Sequence, residues 1–117
     1  MMNDYFVYML QCFDGSYYVG ITNDLERRIG EHQYGIDETC YTFLRRPVSC
    51  VWSQVFHEVL GAIECEKKLK RWSHNKKSAL VRGDWKALAA LSNAKITVID
   101  KLRVTQYKHS AAYRRRS

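Results

Sequence analysis

The chain has 117 residues and a mass of 13.8 kDa, with 19 lysines and arginines against 12 acidic residues, a formal charge of +7 and a pI of about 9.4. That length accommodates one domain, and a 46% apolar fraction with 13% aromatics can build a core, which excludes a wholly disordered or linker-like chain. No apolar run approaches the roughly 20 residues of a membrane span, and Met1-Met2-Asn3-Asp4 lacks the basic and apolar regions of a secretion signal, so the expectation is a cytoplasmic protein with a polyanionic partner, nucleic acid before membrane.

In chain order, Tyr5–Cys12 (YFVYMLQC) is rich in aromatic and β-branched residues and predicts a strand. Phe13-Asp14-Gly15-Ser16 predicts a turn, with Asp-Gly the strongest hairpin signal in the chain, and Tyr17–Ile21 the antiparallel partner. Asn23-Asp24-Leu25-Glu26 has the capping-box pattern that opens a helix, which should run to about Tyr34 and stop at Gly35. Residues 36–46 read as irregular. Val48–Phe56 predicts a third strand, with Pro47 at its start, where a missing N–H does least harm. Helical periodicity follows from Glu58 to Trp72 and again over Asn75–Arg82, and Asp84–Leu91 can add a turn or two. The pattern weakens after Ser92, where Ile96, Val98, Leu102 and Val104 suggest a short element before a disordered end. The expected class is α+β: a small three-stranded antiparallel sheet flanked by helices over residues 1–92, with a basic, partly disordered extension over 93–117.

The positive charge is unevenly placed. Residues 1–66 carry 4 basic and 10 acidic side chains, whereas residues 67–86 carry 8 basic side chains and only Asp84. The extension from residue 87 adds 7 basic residues and Asp100. A lysine-rich run is often a solvated helix face, but it also suits contact with phosphates. Cys12, Cys40, Cys50 and Cys65 show no C-x-x-C pair and no neighbouring His at finger-like spacing, so they read as reduced thiols without zinc.

Two helices carry polar residues on apolar faces. Taking Ala62 as zero at about 100° per residue, Leu69 falls near −20°, Val59 near 60° and Ile63 near 100°, with Glu66 near 40° between them. A carboxylate aimed at a core must find a cation, donors or a metal, since unpaired burial costs several kcal/mol. A buried ion pair and a metal or catalytic site are both open on this argument. In the first helix Arg28 and His32 share the edge of the stripe formed by Leu25 and Ile29, while Arg27 faces solvent. The tyrosines Tyr5, Tyr8, Tyr17 and Tyr18 crowd one hairpin, and each buried hydroxyl needs a partner.

Together these residues resemble a known family. Phe6-Val7-Tyr8, then Tyr18-Val19-Gly20, then Asp24-Leu25-Glu26-Arg27-Arg28-Ile29-Gly30-Glu31-His32 are similar to the core of the GIY-YIG nuclease superfamily. Tyr41-Thr42, Arg45-Arg46-Pro47-Val48 and Glu66-Lys67-Lys68-Leu69-Lys70-Arg71-Trp72 resemble its small stand-alone bacterial branch, the URI-domain endonucleases. The resemblance covers roughly residues 4–83. It departs at Phe6, which stands where the signature has its first glycine.

The resemblance implies the GIY-YIG fold and the hydrolysis of DNA phosphodiester bonds with one divalent ion, Mg²⁺ or Mn²⁺. It assigns Tyr8 and Tyr18 to the two motif tyrosines, Arg28 to the catalytic arginine, His32 to an active-site histidine and Glu66 to the metal ligand. Asn75 is the nearest match to a late asparagine that many members carry. Phosphate contacts then fall to Lys67, Lys70, Arg71, Lys76 and Lys77, and little surface remains for base readout, so weak sequence specificity follows. Repair, recombination and mobile-element roles, and single-stranded or branched substrates, are all compatible with it. A nucleic-acid-binding module that keeps the fold without cleaving DNA or RNA is the alternative.

Overall fold

In the computed structural model, which describes residues 4–91, the run Tyr5–Gln11 forms strand β1 at the centre of the sheet. β2 (Tyr17–Thr22) and β3 (Ser49–Phe56) flank it antiparallel, in the order β2-β1-β3. A central strand covered on both faces needs apolar side chains on both, and Val7, Tyr8, Met9 and Leu10 are all buried. The helices are α1 (Leu25–Tyr34), α2 (Val59–Arg71), α3 (His74–Arg82) and α4 (Trp85–Leu91), with a 3₁₀ turn at Phe43–Arg45. The α+β class expected from sequence is the one that forms. The expected boundary at residue 92, the basic extension beyond it and its short element lie outside the described residues.

The two sheet faces hold separate cores. Val7, Met9, Val19 and Trp52 pack with Ala62 and Leu69 of α2, Ala79 and Leu80 of α3 and Leu88 of α4. On the opposite face Tyr8, Leu10, Cys12 and Val48 pack with Tyr18, Cys50, and Leu25 and Ile29 of α1. Val51 is the extra residue of a bulge, because Met9 pairs with Trp52 and Leu10 with Cys50. α3 is tied to the hairpin tip: His74 stacks on Tyr17 at 4.8 Å, and its Nε2 donates to the Gly15 carbonyl at 3.0 Å.

The helix signals hold, with one correction. The N-cap of α1 is Asp24, whose carboxylate accepts from Arg27 N at 3.2 Å, so the Asn23–Glu26 capping box does not form. Asp24 has the extended backbone and the short acceptor that satisfy a first-turn N–H. Gly35 ends α1 in the left-handed region at φ 72°, and a Cβ there would meet the Arg46 guanidinium.

Gly20 shows how the second motif serves the first. It pairs directly with Tyr8 across β1 and β2, and a Cβ on Gly20 would run into the Tyr8 ring and hydroxyl. The phenol lies flat over its cross-strand partner, which therefore has to be glycine. Tyr8 is 1% exposed and has nowhere to retreat. Gly20→Ala is expected to lower unfolding free energy by roughly 1–3 kcal/mol through overpacking. Gly30→Ala, in α1 where a Cβ meets nothing within 4 Å, is expected to raise it by up to about 1 kcal/mol. Urea unfolding midpoints of the two variants check this opposition in sign.

Candidate active site

Strand alternation sends Tyr8 and Tyr18 to the sheet face that α1 covers, and the 3.6-residue period of α1 sends His32 and Arg28 to meet them. His32, in the last turn, is 3% exposed, and its Nε2 lies 2.8 Å from the Tyr8 hydroxyl. The His32 ring centroid is 5.8 Å from that of Tyr8 and 4.9 Å from that of Tyr18, and the two tyrosine rings are 6.3 Å apart. Arg28, one turn earlier and half-buried, bonds Glu31 Oε1 at 3.0 Å and brings its charge to bear on the Tyr8 phenol. The structure thus brings together four sequence-predicted residues: Tyr8, Tyr18, Arg28 and His32.

Burial sets the protonation states. His32 is pushed down to about 4, first by burial and then by the Arg28 charge, which leaves a neutral imidazole. Tyr8 is pushed above the usual phenol range, chiefly by burial, with Arg28 pulling the other way. Tyr18 is raised too, by burial and then by the neighbouring Cys40. The resting site is therefore two phenols, a neutral imidazole and a fixed guanidinium cation.

The segment read as irregular completes the site. Gly35 turns the chain back beneath α1, and the return is pinned at several points. Gln33 Oε1 accepts from Val48 N at 2.9 Å, Arg46 Nε donates to Phe43 O at 2.8 Å, and Arg45 pairs with Asp14 at 3.2 Å while lying 3.8 Å over the Tyr41 ring. So held, the segment places Thr42 Oγ1 2.8 Å from His32 Nδ1 and Cys40 Sγ 3.5 Å from Thr42 Oγ1, and it stacks Tyr41 on Tyr18 at 6.3 Å. Thr42 is 1% exposed. Sequence reasoning assigned neither Thr42 nor Cys40 a role, because an irregular segment has no periodicity to show which side chains turn inward.

Glu66 lies on α2, at the margin of its apolar stripe and not in the middle. The buried positions are Ala62 and Leu69, Ile63 is half-buried, and Val59 is exposed. Its side chain is 15% exposed and pairs with Lys70 Nζ at 2.8 Å. Lys70 in turn acts electrostatically on Tyr18, which links Glu66 to the tyrosine cluster. Among the described residues no three His, Cys, Asp or Glu side chains gather as a metal cage. One marginal carboxylate with an accessible edge nevertheless fits a hard ion that keeps most of its waters and takes a single protein ligand.

The basic residues spread over two helices. Lys67 and Arg71 are exposed on α2, Lys70 is engaged by Glu66, and Lys76 lies 4.8 Å over the Trp72 ring. Lys77 is half-buried and its ammonium is pushed down by that burial. Asn75 is exposed in the first turn of α3. The thiols of Cys50 and Cys65 are pushed up to about 12 by burial, so neither is nucleophilic at neutral pH.

Comparison with known proteins places this arrangement. The family model of the GIY-YIG catalytic domain matches residues 4–79. The UPF0213 protein DP2720 of Desulfotalea psychrophila is 37% identical over 87 residues, covering 74% of this chain and 79% of its own. The UPF0213 protein SSP2268 of Staphylococcus saprophyticus is 36% identical, over 68% of this chain and 96% of its own. The solution NMR structure of the protein EF2693 from E. faecalis is 34% identical and covers 70% of this chain and 88% of that one, with a TM-score of 0.50.

The histidine makes stability depend on acidity. His32 takes up its proton near 6.5 in an unfolded chain and near 4 in the fold, so between those values the unfolded chain binds more protons. This contribution, on the order of 3 kcal/mol, is complete above about pH 6.5 and is lost as pH falls toward 4. Urea unfolding at pH 7.5 and 4.5 is expected to show a steeper loss for the wild type than for His32→Asn. Equal losses in both would take the effect away from His32.

Proposed function

The chain belongs to the GIY-YIG catalytic domain family, in its UPF0213 branch, and from that membership we propose that it is a metal-dependent endonuclease hydrolysing DNA phosphodiester bonds with little sequence specificity. The observation that carries this reading is the 2.8 Å hydrogen bond between the Tyr8 hydroxyl and a buried, neutral His32 beside the Arg28 guanidinium. A phenol held above its usual range is a poor base on its own. It becomes a competent one when an acceptor for its own proton stands ready.

The roles follow from position. The Arg28 guanidinium exchanges Glu31 for the scissile phosphate, which it can grip bidentately as charge builds. Tyr8 takes a proton from the attacking water while its own hydroxyl proton passes to His32 Nε2, forming an imidazolium. Tyr18, closer to the surface and beside Lys70, orients the water or phosphate. Glu66 is the ligand for a single Mg²⁺ or Mn²⁺, which when bound supplies Lewis-acid stabilisation of the phosphoryl oxygen and the leaving 3′ oxygen. Lys67, Arg71, Lys76 and Lys77 contact the phosphate backbone, and Lys70 joins them once released from Glu66.

A specific observation favours a second reading, a DNA- or RNA-binding module without chemistry. Glu66 is paired with Lys70 and Arg28 with Glu31, so the charges of the site balance within the protein itself.

The two readings separate in one assay series, with single-stranded, duplex and branched DNA incubated with Mg²⁺, Mn²⁺ or EDTA. The nuclease reading expects ion-dependent cleavage that falls on the order of 10²–10⁴-fold in Tyr8→Phe and is lost in Glu66→Ala. Cleavage unchanged by Glu66→Ala would sink the site assignment. Salt-sensitive binding with cleavage of no substrate would favour the binding module.

A further inference from the structure

His32 can serve as the acceptor for Tyr8 only if its Nε2 carries no proton, and the structure contains a device that ensures this. The imidazole is bonded at both nitrogens, Nε2 to the Tyr8 hydroxyl at 2.8 Å and Nδ1 to Thr42 Oγ1 at 2.8 Å. Two arrangements are open to a neutral ring flanked by two hydroxyls, and the partners of those hydroxyls decide between them. The Thr42 hydroxyl donates to Cys40 Sγ at 3.5 Å. Its single proton is thereby committed, so towards His32 it can only accept, and Nδ1 must bear the hydrogen. At the other end the Tyr8 hydroxyl faces His32 Nε2 beside the Arg28 charge. A donor from Nε2 would leave the phenolic proton of a 1% exposed residue without an acceptor. Both ends require the same tautomer.

Cys40 is the sink of this chain of donors. Its sulfur receives the Thr42 hydroxyl at 3.5 Å and stands 3.7 Å from His32 Nδ1. Burial opposes a thiolate there, but hydrogen bonding from Thr42 and Tyr18, helped by the Arg28 charge, outweighs it and holds the thiol below its usual range. The sulfur accepts from Thr42 and does not donate to it.

We propose that Thr42, oriented by Cys40, is a positioning residue for the proton relay: it accepts from His32 Nδ1, fixes the imidazole in the Nδ1–H form and so leaves Nε2 free to receive the Tyr8 proton. The inference rests on the nuclease reading for its consequence in catalysis, but its structural content stands apart from activity. When the relay runs, the Tyr8 O–H bond breaks and an Nε2–H bond forms. The resulting positive charge is shared through Nδ1–H with Thr42 and lies beside the Cys40 sulfur. The Tyr8 oxygen regains a proton from the attacking water, whose O–H bond breaks, and no other proton of the protein has to move.

The experiment is ¹⁵N-resolved NMR of the His32 ring in the full chain at pH 7.5, in wild type, Thr42→Val, Thr42→Ser and Cys40→Ala. The expected result is a protonated Nδ1 and a bare Nε2 in wild type and Thr42→Ser. In Thr42→Val, where Nδ1–H has lost its acceptor, and in Cys40→Ala, where the Thr42 hydroxyl is freed to donate, the proton should shift towards Nε2. In parallel, kcat for DNA cleavage should fall on the order of tenfold or more in Thr42→Val, with KM unchanged and with recovery in Thr42→Ser. A wild type protonated at Nε2, or a tautomer indifferent to all three substitutions, would overturn the proposal. A wild type with the Nδ1–H form that responds as described but cleaves no DNA would support the pairing and remove the nuclease reading instead.

Discussion

A buried phenol and a buried imidazole, each of which would be costly to bury alone, meet at 2.8 Å between β1 and α1. Much of the local structure serves this contact. Gly20 lacks a side chain because the Tyr8 ring lies across it, and α1 runs at the register that brings His32 down onto that ring. Gly35 turns the chain so that Thr42 can take the second imidazole nitrogen. Tyr18, Tyr41 and Arg45 then stack outward from the same centre, and Asp14 anchors the outermost layer to the hairpin tip. A change at any of these positions would bear on the orientation of one ring.

The charges of the site are balanced within the fold, and that balance gives the site its sensitivity. Arg28 is held by Glu31 and Glu66 by Lys70, each through one exchangeable ion pair near the surface. Partly exposed pairs of this kind contribute little to stability, so they are easily traded for phosphate or for a cation. The interior tyrosine–histidine contact is different in kind, because opening it would leave two buried polar groups unsatisfied. The rigid part of the site is thus the tyrosine–histidine contact, and the exchangeable part is the two ion pairs at its edge.

Much of this was legible in the sequence, for identifiable reasons. The first hairpin follows from its aromatic and β-branched residues and the Asp14-Gly15 turn, and the end of α1 from Gly35, which are short-range signals. Arg28 and His32 were visible because two polar side chains at helical spacing beside Leu25 and Ile29 contradict the pattern around them. Glu66 was flagged by the same contradiction but placed too deep. The wheel spread the stripe from Leu69 through Ala62 and Val59 to Ile63, whereas packing against the sheet buries Ala62 and Leu69 and leaves Val59 exposed. Thr42 was visible only as part of a motif, and neither it nor Cys40 could be given a direction. Their inward direction depends on Gln33 and Arg45 pinning a segment without regular structure, and those contacts are long-range. The capping box failed for a smaller reason: Asp24, one residue later, offers the same short acceptor with extended backbone.

The central claim is that His32 is a neutral acceptor held against Tyr8, and its titration by NMR tests that most directly. The ring proton shifts of His32 followed from pH 8 to the acid limit of the fold should give a midpoint of about 4. A midpoint at or above the ordinary value of 6.5 would mean an imidazole that carries its own proton at working pH and cannot take one from Tyr8.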